Sequence, residues 1–240
     1  YQRATENTRT DFGIRAGFRY NRIEESLLGI PFQISEGSNA DGITDTKLFY
    51  FDQYLSHRDR KQAVSLNSRF LGGVDLDSAT DPLFKNGAFV GWRGEFGYTR
   101  LLPLGLVANA KVQMQFVNNP VTSSDQFSLG GQNSVRGVAE NLALAYNGVS
   151  GTFQLNKNLL RSKDGSLGIF AFLDGGHVWN GLKRNSFSQG LVSVGGGIEA
   201  TYKNLSANIT YGHPLIGDPE TQGNSLQGGG ISFIVRYRFY

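Results

Sequence analysis

The sequence predicts an all-β protein, a transmembrane antiparallel up-and-down β-barrel, and three observations lead to this fold class. Gly occupies 32 of the 240 positions and aromatic residues make up 12% of the chain, which is typical of turns and strands. Apolar and polar residues alternate with a period of two over segments of about ten residues, the length of a tilted membrane strand. No run of residues approaches the roughly 20 apolar positions that a membrane-spanning helix requires.

Composition also excludes several kinds of function. The chain has no Cys and only 3 His, which excludes thiolate chemistry and leaves little for a histidine metal site. We therefore predict no metal and no cofactor. The formal net charge of +3 is too small to indicate a basic nucleic-acid surface, so we expect no nucleic acid partner.

Ten strands are predicted along the chain. In the first strand, Phe12 and Ile14 lie on one face and Arg15 on the other, and in the fifth the apolar even positions oppose Lys111 and Gln113. The predicted strands, in order, are Asp11–Asn21, Thr44–Ser56, Lys61–Val74, Val90–Arg100, Leu104–Val117, Gly148–Asn156, Leu167–Trp179, Val192–Lys203, Leu205–Tyr211 and Ile231–Phe239. Their even spacing, with turn-rich segments between them, indicates consecutive hairpins.

A soluble β-sandwich would show the same alternation, so the choice depends on strand length and on the charged face. Soluble strands average about five or six residues, whereas these are longer. In a membrane barrel the apolar face contacts lipid, here including Ala108 and Ala200, and the polar face lines a lumen. The residues that we predict in the lumen wall are Arg15, Arg19, Arg93, Glu95, Lys111 and Glu199.

The connections differ in length, which predicts an orientation. Long connections are expected at Glu25–Ile43, Asp75–Gly87 and Asn118–Asn141, and short ones at Lys157–Gly165 and Lys203–Asn204. In outer-membrane barrels the long loops face the exterior and the tight turns face the periplasm.

The third long connection has an unusual composition for a loop in solvent. Apolar residues that include Leu129, Val135 and Val138 surround Arg136, which Gly137 follows. Two interpretations are open: a packed surface Ω-loop, or a loop that folds back into the lumen. In the second, Arg136 needs an acidic partner, because a desolvated guanidinium is costly when it is unpaired.

Asp174 is the predicted partner of Arg136. The parity that places Leu173 on the lipid face of its strand places Phe172 and Asp174 on the inner face. A fork between guanidinium and carboxylate, with an aromatic ring beside it, is well suited to hold a loop.

These segments resemble a known family. Ser134-Val135-Arg136-Gly137 on a long loop, followed by Phe172-Leu173-Asp174-Gly175-Gly176, resembles the paired signature of the outer-membrane protein assembly and transport superfamily. The segment Phe127-Ser128-Leu129-Gly130-Gly131 and the pair Glu140-Asn141 are similar to transporters of two-partner secretion, of the haemolysin-activator and filamentous-haemagglutinin-secretion type. The resemblance implies a lumen loop and its anchor formed by Val135, Arg136, Gly137, Phe172, Asp174 and Gly176.

The resemblance also implies a larger protein than this chain. Such transporters have a sixteen-stranded barrel, preceded by two periplasmic domains and a plugging helix, and pass an unfolded exoprotein across the bacterial outer membrane. We expect residues 1–240 to be a monomeric barrel domain in outer-membrane lipid, without the periplasmic domains and the first six strands. The exoprotein is the expected partner in the full-length context, and the alternative is an isolated small barrel or narrow porin. Whether ten strands close on themselves is left open.

An enzyme built on a barrel is the contrasting class. His57, His177 and His213 are the candidates for acid–base chemistry, but each has a structural explanation: a charged strand end, a headgroup-level position beside Trp179, and a strand end before Pro214. We therefore predict that the protein has no catalytic residues and is not an enzyme.

Overall fold

The structure, a computed structural model, describes residues 2–4, 8–34, 38–75, 88–182, 185–217 and 229–239. Regular structure in these ranges consists of β-strands and short 3-10 turns. In the same ranges, none of the helices has the length and apolar content needed to cross a lipid bilayer.

Eleven of the fifteen strands in the described ranges form one antiparallel sheet. In chain order the strands are β1 (Gln2–Ala4), β2 (Arg9–Glu24), β3 (Ser26–Leu27), β4 (Ile30–Pro31), β5 (Ile43–Arg58), β6 (Gln62–Asp75), β7 (Ala88–Leu101), β8 (Leu106–Val117), β9 (Phe127–Leu129), β10 (Ala143–Ala145), β11 (Asn147–Arg161), β12 (Gly165–Leu182), β13 (Asn185–Tyr202), β14 (Leu205–Ile216) and β15 (Ile231–Tyr237). The sheet order is β1-β2-β5-β6-β7-β8-β11-β12-β13-β14-β15, and β3-β4 and β9-β10 form two small ribbons within loops. The large sheet therefore follows the chain from each strand to the next.

The ten predicted strands are confirmed as β2, β5–β8 and β11–β15. The short β1 of the same sheet and the four ribbon strands β3, β4, β9 and β10 were not predicted. β1 pairs with β2 over three residues. In the described part of the chain, β1 and β15 are the two ends of the hydrogen-bonded order, and no pairing between them closes the sheet.

Several strand boundaries were predicted wrongly. β13 begins at Asn185 rather than Val192, β11 continues to Arg161, and β14 continues through His213 and Pro214 to Ile216. Hydrogen bonding between strands continues where the alternation of apolar residues has stopped, so alternation does not mark these strand ends. Pro214 is tolerated because β15 pairs with β14 only as far as Tyr211, so no ladder bond on that side needs its missing N–H.

Leu104 was predicted to begin the fifth strand, and this is also wrong. It lies in the 3-10 turn Pro103–Gly105 with φ 62°, and β8 begins at Leu106. A turn with two consecutive positive φ values, at Leu104 and Gly105, reverses the chain between β7 and β8.

The two faces of the sheet differ sharply. The outer face exposes large apolar side chains, among them Ile14 (63% exposed), Val90 (64%) and Phe233 (67%). On the same face, rings form a contact series from Trp92 to Phe116 and from Phe116 to Trp179. An exposed apolar surface of this extent is characteristic of a protein face that contacts a membrane or another protein, rather than of a face in water. The opposite face carries the charged residues and is called the inner face below.

The connections sort by length between the two ends of the sheet. Residues 25–42, 118–146 and 217–230 connect strands at one end, and the short connections 59–61, 102–105, 162–164 and 203–204 lie at the other. Residues 76–87 of the predicted loop Asp75–Gly87, and residues 218–228 of the last long connection, lie outside the described residues. At the end of the sheet that carries the long connections, β12 ends at Leu182 and β13 begins at Asn185.

Glycines on β13 make room for aromatic rings of β12. A Cβ at Gly195 would lie 2.5 Å from Cζ of Phe172, and one at Gly197 would lie 2.4 Å from Cζ of Phe170. The two rings therefore occupy the space beside these glycines, and their centroids are 6.3 Å apart. This arrangement fixes Phe172 on the inner face beside Asp174.

Candidate functional site

The inner loop, residues 118–146, is an ordered part of the structure. Its β9-β10 ribbon brings residues 127–129 and 143–145 together. Between them, Gly130 and Gly131 have φ 111° and 93°, values that glycine adopts without strain. The Oγ of Ser134 accepts a hydrogen bond from the N–H of Gly130 (2.8 Å), and the N–H of Gly131 donates to the carbonyl of Val135 (3.0 Å).

The inner loop packs against the inner face of the sheet. Leu129, Val135 and Val138 are fully buried in one apolar cluster with Val178 of β12 and Leu191 of β13. This packing joins the loop to the inner face of the sheet, as expected for a loop that folds back onto that face.

Arg136 meets Asp174 near the middle of β12. Its Nε lies 2.7 Å from Oδ2 and its Nη2 lies 2.9 Å from Oδ1 of the carboxylate. The backbone N–H of Arg136 donates to the same Oδ2 (3.1 Å). The Asp174 side chain is fully buried and that of Arg136 is 11% exposed. This is the fork that the sequence analysis expects, and it is almost entirely removed from solvent.

Two further groups complete the surroundings of the guanidinium. The Cζ of Arg136 lies 3.6 Å from the centre of the Phe172 ring, a cation–π geometry that is stronger when desolvated. Its Nη1 donates to Oε1 of Gln154 on β11 (2.6 Å). Arg136, Asp174, Phe172 and Gln154 are called the tip contact below. Gln154 was not predicted from the sequence, because a polar residue on an inner face is an ordinary feature of such a strand.

Glycines allow the tip contact to form. Gly137 has φ 88°, and a Cβ there would lie 2.4 Å from the carbonyl oxygen of Gly212 on β14. A Cβ at Gly176 would lie 2.4 Å from Cδ1 of Leu129. All six residues that the resemblance implies for the loop and its anchor therefore lie where the inner loop meets the sheet.

The predicted wall residues are distributed over four places on the inner face. Arg15 pairs with Asp52 (2.7 Å), which also pairs with Arg69. Lys111 pairs with Glu95 (3.3 Å). Glu199 lines a smaller cavity near the tight-turn end.

Arg19 and Arg93 both pair with Asp125 of the inner loop. Neither Asp125 nor Asp52 was predicted from the sequence. Both lie more than 30 residues along the chain from at least one of their partners, and no local pattern joins such positions.

A cavity of about 770 Å³ lies between the inner loop and the part of the inner face formed by β2 and β5–β8. Charged and amide side chains line it, including Arg15, Asp52, Arg69, Glu95, Gln113 and Asn133. The inner loop thus contacts the β12–β13 side closely and leaves a polar space on the other side.

The three histidines take part in structural contacts or lie exposed. His57 is hydrogen-bonded to Thr10 (2.8 Å), and His177 to Ser188 (3.0 Å) with its ring stacked on Trp179. His213 is exposed on β14. In the ranges that the structure describes, three His, Cys, Asp or Glu side chains nowhere come together as metal ligands would.

The fold and the site define a sheet of the outer-membrane barrel type in which one long loop is anchored to the inner face. Residues 41–200, which are 160 of the 240 residues, match the family model described as haemolysin secretion/activation protein ShlB/FhaC/HecB. The chain belongs to this family of two-partner secretion transporters, as its paired signature predicts.

A solved structure, CdiB, agrees with the fold. CdiB from Escherichia coli is 20% identical with a TM-score of 0.72, and the match covers 95% of this chain and 41% of that one. The chain thus spans about two fifths of the length of CdiB. BamA from Haemophilus ducreyi lacking POTRA domains 1–3 is 12% identical with a TM-score of 0.45, over 95% of this chain and 60% of that one. No curated protein sequence matches the chain significantly.

Proposed function

We propose that this chain is a barrel domain, residues 1–240, of a monomeric transporter in the bacterial outer membrane, and that an unfolded exoprotein crosses the membrane along its inner face. In this proposal the apolar outer face contacts lipid, the polar inner face lines the lumen, and the inner loop obstructs that lumen. Family membership supports the transport class. The single observation that carries the role of the loop is the buried fork of Arg136 on Asp174.

The strength of the tip contact suits a removable obstruction. Breaking a buried ion pair by removing one partner costs about 3–5 kcal/mol. Shifting a two-state equilibrium from 1:99 to 99:1 requires about 5.5 kcal/mol. Separating Arg136 from a still-buried Asp174 would therefore be costly, and a passenger chain that releases the loop would have to bind the open state more tightly by a comparable free energy.

The polar wall suits an extended polypeptide. Unfolded backbone exposes N–H and C=O groups that need hydrogen-bonding partners or water, and the cavity beside the loop offers carboxylate, guanidinium and amide groups. No covalent step is required, so the proposal needs no catalytic group.

Replacing Arg136 with Ala tests this proposal. In the full-length context we expect R136A to increase single-channel conductance in planar bilayers and to reduce exoprotein secretion, because Asp174 loses the fork and the loop leaves its position. Arg22→Ala is the matched control, since Arg22 pairs with Asp45 and Glu24 away from the inner loop.

A narrow porin is the second candidate, and the cavity beside the seated loop favours it. A porin would conduct through that cavity whether or not the tip contact is intact. Equal conductance in R136A and the parent protein, together with unchanged secretion, would support the porin and contradict the transport proposal.

A further inference from the structure

The inner loop has a second attachment, in which the charges are reversed. Asp125 ends the 3-10 turn Ser123–Asp125, and its side chain is only 4% exposed. Arg19 of β2 places Nη2 at 2.9 Å and 3.1 Å from the two carboxylate oxygens. Arg93 of β7 places Nη2 at 3.2 Å from Oδ1. Here the loop supplies the carboxylate and the sheet supplies the guanidinium groups, whereas at the tip contact the roles are exchanged.

Main-chain hydrogen bonds reinforce this attachment and extend it to the other end of the loop. The carbonyl of Asp125 accepts bonds from Nη2 of Arg93 (2.8 Å) and Nε2 of Gln115 on β8 (2.8 Å). The same Nε2 donates to the carbonyl of Tyr146 (3.0 Å). Asp125, Arg19, Arg93 and Gln115 are called the base contact below. Because Gln115 bonds to residues 125 and 146 together, the base contact fixes both ends of the loop to β8.

The base contact and the tip contact have no residue in common. The base contact uses β2, β7 and β8, and the tip contact uses β11 and β12. The apolar packing is divided in the same way. Val121 and Tyr146 pack with Leu48, Leu71 and Phe89, in a cluster separate from that of Val135.

We propose that Asp125 is a positioning residue that holds the base of the inner loop independently of Arg136. This inference rests on the proposed function for its biological meaning. Loss of the tip contact then frees the middle of the loop while its two ends stay fixed, and complete displacement requires both contacts to break. The burial of the Asp125 carboxylate between two guanidinium groups makes its charge essential, since an amide cannot neutralise them.

Site-directed spin labelling tests the independence of the two contacts. The natural chain has no Cys, so Ser123→Cys near the base and Asn133→Cys near the tip each provide one unique, exposed position. The labelled chain in liposomes is compared with and without D125N or D174N. D125N should convert the immobilised spectrum at 123 to a mobile one and leave 133 immobilised, and D174N should do the opposite.

Asp52→Asn is the matched control. Asp52 is also shared by two arginines of the same face, Arg15 and Arg69, and has no bond to the loop among its described contacts. Both labels should stay immobilised in D52N. If D125N does not insert, R19Q, which removes one of the two guanidinium groups, should produce a partial loss of immobilisation at 123 alone.

The outcomes separate this inference from the proposed function. Mobility at both positions in D125N or R19Q, or at neither, would overturn the independent base contact. If the labels respond separately while R136A leaves conductance and secretion unchanged, the base contact stands and the transport proposal fails.

Discussion

The contacts around Arg136 require the planar shape of a guanidinium group as well as its charge. Its guanidinium is bound to carboxylate and amide oxygens in its plane and stacked on Phe172. A lysine offers a point charge without the planar fork, so it would reproduce only part of this geometry. The requirement for Arg at this position therefore follows from geometry, beyond the need for a positive charge.

Gly137 provides a residue-scale prediction. Gly137→Ala places a Cβ at φ 88° and against the carbonyl of Gly212. The backbone term alone costs about 1–2 kcal/mol, so we expect the loop to leave its position and to become sensitive to protease in detergent.

The matched control for this change is Gly181→Ala. A Cβ at Gly181 has no neighbour within 4 Å, and the variant should resist protease as the parent protein does. Equal protease sensitivity of the two variants would contradict the role assigned to Gly137.

At the residue scale, an ion-pair partner could be predicted from the sequence only where a regular pattern indicated its position. Asp174 could be predicted because the parity of one strand placed it on the inner face beside Phe172. Asp125 lies 106 positions from Arg19 along the chain, and a polar loop residue followed by Gln126 carries no sign of such a contact. Long-range pairing depends on how strands and loop meet in space, which alternation does not encode.

At the scale of the element, the strands are determined by their two-residue period and by the turns between them. That period was sufficient to locate ten strands, because an apolar outer face and a polar inner face alternate along each of them. It did not locate the strand ends on the side of the long loops. There β12 continues to Leu182, and β13 already begins at Asn185.

The position of an outward-facing residue along its strand predicts how much a Lys substitution there destabilises the protein in a bilayer. Ala171 lies near the middle of β12 on the outer face and is exposed. Lys at Ala171 should lower the free energy of unfolding in lipid by about 2–4 kcal/mol, while Lys at Ala108, close to the tight turn 102–105, should cost about 0–1 kcal/mol. Denaturant titration in lipid vesicles measures both values.

Gln113 serves as the inner-face control. It contacts Glu95 on the polar side of the sheet, so Gln113→Lys should cost little. A cost at Gln113 equal to that at Ala171 would contradict the assignment of the two faces.

At the scale of the whole molecule, the separation of long and short connections predicts the orientation in the membrane. Ile34 lies in the long connection after β2, and Lys163 lies in the tight turn between β11 and β12. A membrane-impermeant thiol reagent on intact cells should label Ile34→Cys and not Lys163→Cys, because long loops face outward.

Permeabilised cells provide the control for this labelling, since both cysteines should then react. Labelling of Lys163→Cys alone on intact cells would contradict this orientation and indicate the opposite one. The background is low because the natural chain contains no Cys.

The inner loop bonds to strands near both ends of the sheet, with Asp125 on Arg19 of β2 and Gln132 on Ser232 of β15. The bending of the sheet and the seating of the loop are thereby mechanically coupled. A change in the curvature of the sheet that moved β2 away from β15 would strain these bonds. If the loop left its position, the sheet would lose these two connections and could bend further.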